Sequence, residues 1–134
     1  MTSRVLVVDD EPAIRHAVGR LLRREGWEPV TVGTAGEALA VLERGPADAI
    51  LLDYHLPGMS GAVPGAEIVA RWPALAERTV FVSGDPALSV ELFPAACRGA
   101  RLLAKPFDLL ELAAVLRGVL APAANASNSS GNSA

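Results

Sequence analysis

Two adjacent carboxylates, Asp9 and Asp10, follow directly on the apolar run Val5–Val8 in "RVLVVDDEP" (4–12), and Glu11 adds a third negative charge. Two unit charges about 4 Å apart, at an effective dielectric of about 20, repel by roughly 4 kcal/mol, so such a group calls for a cation. Three more polar residues follow apolar runs in the same way: Asp53 in "LLDYHLPGMSG", Ser83 in "VFVSGDP" and Lys105 in "LLAKPF". Clustered carboxylate oxygens suit Mg²⁺, a hard cation that prefers octahedral oxygen ligands and keeps several waters. A carboxylate beside that metal can attack phosphorus. Lys105 and Mg²⁺ would neutralise the oxygens of a transferring phosphoryl group, with a hydrogen bond from the Ser83 hydroxyl.

Each residue alone has a plainer reading. Asp9 or Asp10 could cap a helix starting at Pro12, Ser83 could be a turn residue before Gly84-Asp85-Pro86, and Lys105 could be a solvated lysine. Their joint occurrence at the ends of successive apolar runs is what points to one site.

The elements that must position them can be read from periodicity. Short β-rich runs at 5–8, 29–32, 49–52, 80–82 and 100–104 alternate with segments of helical spacing, the first carrying Ile14, Ala17, Val18, Leu21 and Leu22. Further helical segments are expected near 34–44, 61–71, 86–93 and 108–120. Pro12 suits a first turn, Gly26 a C-terminal stop, Thr34 with Glu37 a capping pair, and Gly45-Pro46 a break. Pro64 should delay or kink the third helix. Five strand–helix repeats predict an α/β fold, a doubly wound, flavodoxin-like (βα)5 parallel sheet. The order 2-1-3-4-5, borrowed from a known fold of this kind, makes neighbours of the four strands that carry the polar residues. Ligands bind at that rim, and Asp53, on the middle strand between the acid pair and the Ser/Lys side, is the candidate nucleophile.

With 134 residues, 51% of them hydrophobic, the chain fits one domain, and a net charge of −3 gives no sign of a nucleic-acid or membrane surface. The single cysteine, Cys97, reads as a small packed residue, and the absence of a signal peptide points to the cytoplasm. From Pro122 the chain turns to "PAANASNSSGNSA", with no large apolar residue and no charge. The expected domain is therefore 1–121, followed at 122–134 by a disordered tail or a truncated linker. The glycosylation patterns at Asn125 and Asn128 read as chance matches.

"VVDDEP", "LLDYHLPGMSG", "VFVSGDP" and "AKPF", in that order and separation, resemble the receiver domain of two-component response regulators over about residues 4–120. The resemblance implies that Asp53 accepts a phosphoryl group from a phosphohistidine on a sensor histidine kinase or a histidine phosphotransfer protein. It implies Asp10 as direct Mg²⁺ ligand, Asp9 as a ligand through water, and His55 as donor of a backbone carbonyl to the metal. Ser83 and Lys105 would bind the phosphoryl oxygens, and Lys105-Pro106 would be cis. Phosphorylation would draw Ser83 inward and alter a face made by the fourth helix, fifth strand and fifth helix, changing contacts with a downstream protein or relaying the phosphoryl group. DNA binding by this chain is not expected.

Two departures stand out. Many members place Tyr or Phe three residues before the lysine; here Leu102 stands there, so the aromatic part of the switch is absent. Pro94 and "PAACRGA" predict a short or irregular fourth helix. The imidazole of His55 is expected to face solvent, and Asp85 to orient a water or cap the next turn. Arg15, His16, Arg20, Arg23 and Arg24 form a solvated face near which the family docks its kinase. A haloacid-dehalogenase-like phosphohydrolase would want an Asp where His55 stands, together with a cap domain. An FMN carrier would not put "DDEP" in its phosphate loop, and a pseudo-receiver binding module would not need the full acid set.

Overall fold

Strands apolar on both sides need cover on both faces of their sheet, and the computed structural model shows that cover in place. It describes residues 2–56 and 62–120; the "PGMSG" part of the Asp53 motif and the Ser/Asn tail, with Asn125 and Asn128, lie outside the described residues. Five parallel strands, β1 (Arg4–Val8), β2 (Glu28–Val32), β3 (Ala49–Asp53), β4 (Thr79–Ser83) and β5 (Arg101–Ala104), lie in the order β2-β1-β3-β4-β5. The four α-helices among the described residues are α1 (Pro12–Arg24), α2 (Ala35–Arg44), α3 (Ala62–Arg71) and α4 (Leu109–Leu120). The predicted α/β class and strand order hold.

Side chains alternate between the faces of a strand, so each strand feeds two cores. Val5, Val7, Leu51, Val80 and Val82 pack with Leu22 of α1 and Leu112 and Leu116 of α4. Leu6, Val8, Ile50, Leu52 and Phe81 face the other way, against Leu42 of α2 and Ile68 of α3. Each fully buried Val, Leu or Ile contributes about 1.5–3 kcal/mol. A one-residue slip would exchange both faces at once, which fixes where each strand ends and hence where its terminal polar residue stands.

The helix ends follow local chemistry. Pro12 opens α1, and Gly26 beyond its C-terminus adopts φ +86°, a left-handed conformation that glycine takes without steric cost. Thr34 caps α2 by accepting the Glu37 N–H at 3.1 Å, and the Glu37 carboxylate accepts the Gly33 N–H at 3.0 Å. Pro64 is the third residue of α3, inside the first turn, where a missing N–H loses no intrahelical bond.

The fourth helical segment is irregular, as Pro94 predicted, to the point that the helix expected at 86–93 is replaced. No α-helix forms at 86–93; single 3₁₀ turns at Val90–Leu92 and Ala95–Cys97 stand between β4 and β5. Pro86 and Pro94 bracket only a few residues, too few for a helix to offset its nucleation cost. Phe93 plugs the core instead, 2% exposed, and fixes this segment by a side chain rather than by a backbone ladder. The face expected from the fourth and fifth helices is therefore built from irregular chain, β5 and α4.

Candidate functional site

The backbone ladder continues past the strand ends and pins the polar residues. Asp9 N–H donates to Val32 O (3.1 Å), Tyr54 N–H to Val82 O (2.9 Å) and Lys105 N–H to Ser83 O (2.7 Å). Asp53 ends β3 in register with Val82, and Ser83 ends β4 opposite Ala104. The four polar strand ends thus share one rim of the sheet. The Lys105-Pro106 peptide is cis, as the resemblance implied.

Asp9, Asp10 and Asp53 each offer an oxygen within 4.8 Å of the others. Asp9 and Asp53 are buried, while Asp10 is exposed. Lys105 Nζ lies 3.2 Å from Asp9 Oδ2, 3.4 Å from Asp53 Oδ2 and 3.4 Å from Glu11 Oε1. This ammonium offsets the repulsion evident in the sequence. The second oxygens are held by backbone: Glu11 N–H donates to Asp9 Oδ1 and His55 N–H to Asp53 Oδ1, both at 2.9 Å. Each carboxylate therefore has one oxygen fixed and one aimed into the pocket, toward Lys105.

Burial pushes the Asp9 carboxyl above its ordinary 3.8, and the Glu11 N–H and the Lys105 charge only partly counter it. For Lys105, burial works to lower the pKa, but attraction to Asp9 and Asp53 and hydrogen bonds to Asp9 and Glu11 prevail and raise it above 10.5. Lys105 is thus fully charged at neutral pH. An all-oxygen group of three acids, one of them exposed and facing entry from solvent, fits a hard divalent cation such as Mg²⁺.

Ser83 and His55 meet each other rather than Lys105. His55 Nε2 is 2.7 Å from Ser83 Oγ, although the sequence reading left this imidazole to solvent. The Asp85 N–H donates to Ser83 Oγ at 3.0 Å, and the Asp85 carboxylate accepts the Ala87 N–H at 2.9 Å, capping the turn at Pro86. Two contacts escaped the sequence reading. Glu11 reaches Lys105, and Arg15 donates to the Asp9 carbonyl at 2.7 Å; the spacing of Arg15 on α1, six residues after Asp9, was the available signal. His16 is exposed. Beside Lys105 an apolar cavity of about 470 Å³ opens between α1 and the β5–α4 loop, lined by Ile14, Ala17, Val18, Phe107 and Leu109.

Residues 5–117 match the family model described as "Response regulator receiver domain". The chain is 39% identical over 123 residues to the sensory transduction protein RegX3 of Mycolicibacterium smegmatis, covering 90% of this chain and 51% of that one. It thus spans about half the length of that relative. It resembles the crystal structure of the response regulator TrrA from Thermotoga maritima in complex with Mg²⁺-BeF, with TM-score 0.77, 29% identity, and coverage of 89% of this chain and 100% of that one. A further match, with TM-score 0.73 and 30% identity, covers 89% of this chain and 99% of a chain in the crystal structure of the histidine kinase ThkA in complex with TrrA. No helix among the described residues is long and apolar enough to cross a membrane. The motifs, the 2-1-3-4-5 sheet, the acid rim and these likenesses agree: this chain belongs to the response regulator receiver domain family.

Proposed function

We propose that the chain is a phosphoaccepting receiver, in which Asp53 takes a phosphoryl group from a phosphohistidine on a kinase or phosphotransfer partner in the presence of Mg²⁺. The observation that carries this is Lys105 Nζ bridging Asp9 and Asp53 at 3.2 and 3.4 Å inside a three-carboxylate cluster. The pocket-facing oxygen, Asp53 Oδ2, attacks phosphorus; the new P–O bond forms as the P–N bond to the donor histidine breaks, and the histidine nitrogen leaves with the electron pair and takes up a proton. The His55 N–H keeps Oδ1 occupied and so orients Oδ2 outward. Lys105 balances charge on the transferred oxygens. Asp10, Asp53 and the His55 carbonyl, with Asp9 through a water, would hold Mg²⁺, which would supply positive charge to balance phosphoryl oxygens entering an acidic pocket. Ser83 donates its hydroxyl to a phosphoryl oxygen.

The solved kinase complex of a similar receiver supports a histidine-kinase donor. The apolar cavity beside Lys105 offers α1 and the β5–α4 loop as the donor's docking surface. On this reading the chain turns over no external substrate; it catalyses only its own phosphorylation and dephosphorylation, and signals through changed contacts with a downstream protein. Intact mass after incubation with acetyl phosphate tests it. One phosphoryl group should be gained only with Mg²⁺, and none by Asp53→Asn. A Mg²⁺-independent gain, or an equal gain in the variant, would overturn the assignment.

A further inference from the structure

β2 is followed by Gly33, which has no side chain to offer the rim, yet this strand end takes part in the acid site through its backbone. Val32 O accepts the Asp9 N–H at 3.1 Å. On the other side of the same residue, Arg15 Nη1 donates to the Asp9 carbonyl at 2.7 Å. Both backbone groups of Asp9 are thus held, one from β2 and one from α1. A peptide group is planar, so fixing Asp9 and the direction of its carbonyl oxygen also places the Cα of Asp10. Asp10 needs that support. One oxygen each of Asp9 and Asp53 is held by a backbone N–H at 2.9 Å. Asp10 is exposed, and no N–H among the described residues holds its carboxylate.

Gly33 is what lets Arg15 reach. A Cβ at position 33 would lie 3.1 Å from Arg15 Nη1 and 3.7 Å from its Cζ, so the guanidinium fills the space a side chain would take. Among the described residues only Gly26 has a positive φ, so backbone freedom is not what glycine supplies at position 33. The Glu37 carboxylate accepts the Gly33 N–H at 3.0 Å and fixes the backbone against which Arg15 rests. The charge of Arg15 works the other way. A guanidinium beside a cation site repels the incoming ion, whereas one that places a ligand favours it. The two roles therefore predict opposite signs when Arg15 is neutralised.

We propose that Arg15 and Gly33 position Asp10 for metal binding: Arg15 holds the Asp9–Asp10 peptide, and Gly33 leaves the space in which the guanidinium lies. Arg15 is a positioning residue that acts through the backbone. The inference rests on the reading of the acid rim as a Mg²⁺ site, and its test needs no phosphoryl transfer.

The experiment titrates Mg²⁺, and separately Ca²⁺, into the unmodified chain and follows amide NMR shifts, which report affinity and the folded state of each variant together. Arg15→Met should bind Mg²⁺ about 3- to 10-fold more weakly than the wild type, at the low end for loss of a ligand-supporting residue because relief of charge offsets part of it. Ca²⁺, which tolerates varied geometry, should lose less affinity than Mg²⁺, which demands a near-octahedral set. Gly33→Val keeps the charge and displaces the guanidinium, so it should cost at least as much Mg²⁺ affinity. On top of Arg15→Met it should cost nothing further, because no guanidinium is left to displace. Unchanged or tighter Mg²⁺ binding by Arg15→Met, or equal losses for the two ions, would overturn the proposal. An additive loss from Gly33→Val in the double variant would overturn the role given to Gly33. A wild type that does not bind Mg²⁺ would instead refute the metal reading of the acid rim, and the inference with it.

Discussion

Replacing Lys105 by Met isolates the charge balance of the pocket. The methionine keeps the apolar stem and removes the ammonium that lies 3.2 Å from Asp9 and 3.4 Å from Asp53. At an effective dielectric of about 20 each contact is worth roughly 5 kcal/mol of Coulomb energy before desolvation. The Asp9 and Asp53 side chains are each 6% exposed and the Lys105 side chain 20%. The third partner, Glu11, is too exposed to count. Breaking a buried pair by removing one member costs about 3–5 kcal/mol, and the partial exposure of Lys105 brings the expectation to about 2–3 kcal/mol. For a domain of this size that lowers Tm by roughly 10 °C.

The assay is thermal or urea unfolding at neutral pH, first in EDTA and then in millimolar Mg²⁺. The Lys105 pKa is raised, so its contribution is fully present below 10.5, the ordinary value, and is lost only as pH rises through the folded value. Neutral pH therefore reads the whole effect. Mg²⁺ should stabilise Lys105→Met more than the wild type, because in the wild type the ammonium already pairs with the acids that the ion would occupy. Equal stability of the two proteins in EDTA, or an equal gain from Mg²⁺, would refute this account of the pocket.

Other outcomes follow from single contacts. A Cβ on Gly65 would lie 2.6 Å from Phe81 Cζ, so Gly65→Ala should cost about 1–2 kcal/mol in urea unfolding despite the better helix propensity of alanine. Tyr54, the single tyrosine, is pushed above its ordinary 10.0 by burial and then by Cys97, so tyrosinate absorbance should rise later in the folded than in the urea-unfolded protein. By the same sign, the Tyr54 contribution to stability is present below pH 10.0 and lost as pH rises through the folded value. Ala17→Arg should fill the cavity beside Lys105 and slow transfer from a phosphorylated histidine donor by roughly tenfold, leaving labelling by acetyl phosphate unchanged.

The fold was legible because its signals are local and redundant. The runs at Val5–Val8 and Ala49–Leu52 needed cover on both faces, and Pro12, Gly26 and Thr34 marked helix ends that the structure keeps. Strand-end placement of Asp9, Asp53, Ser83 and Lys105 followed from the same runs, since the residue that follows a strand's last apolar position falls at the rim of the sheet. The segment after β4 was harder to read. Ala87, Leu88, Val90 and Leu92 have enough apolar character for a helix; Pro94 signalled an irregular one, but only tertiary placement shows that the burial of Phe93 decides for turns. The partner of His55 was hidden for a different reason. A polar side chain two residues past a strand can face solvent or fold back on a neighbouring strand, and a hydrogen bond between residues 28 apart leaves no periodic trace.

The central claim concerns one atom of one side chain, so the most direct measurement locates the phosphoryl group. After treatment with acetyl phosphate and Mg²⁺, borohydride reduction converts an aspartyl phosphate to homoserine, which peptide mass spectrometry assigns to a position. The account predicts homoserine at position 53 and at no other acid of the pocket. Homoserine at position 9 or 10, or none at 53 in a sample whose intact mass shows the added phosphoryl group, would contradict it.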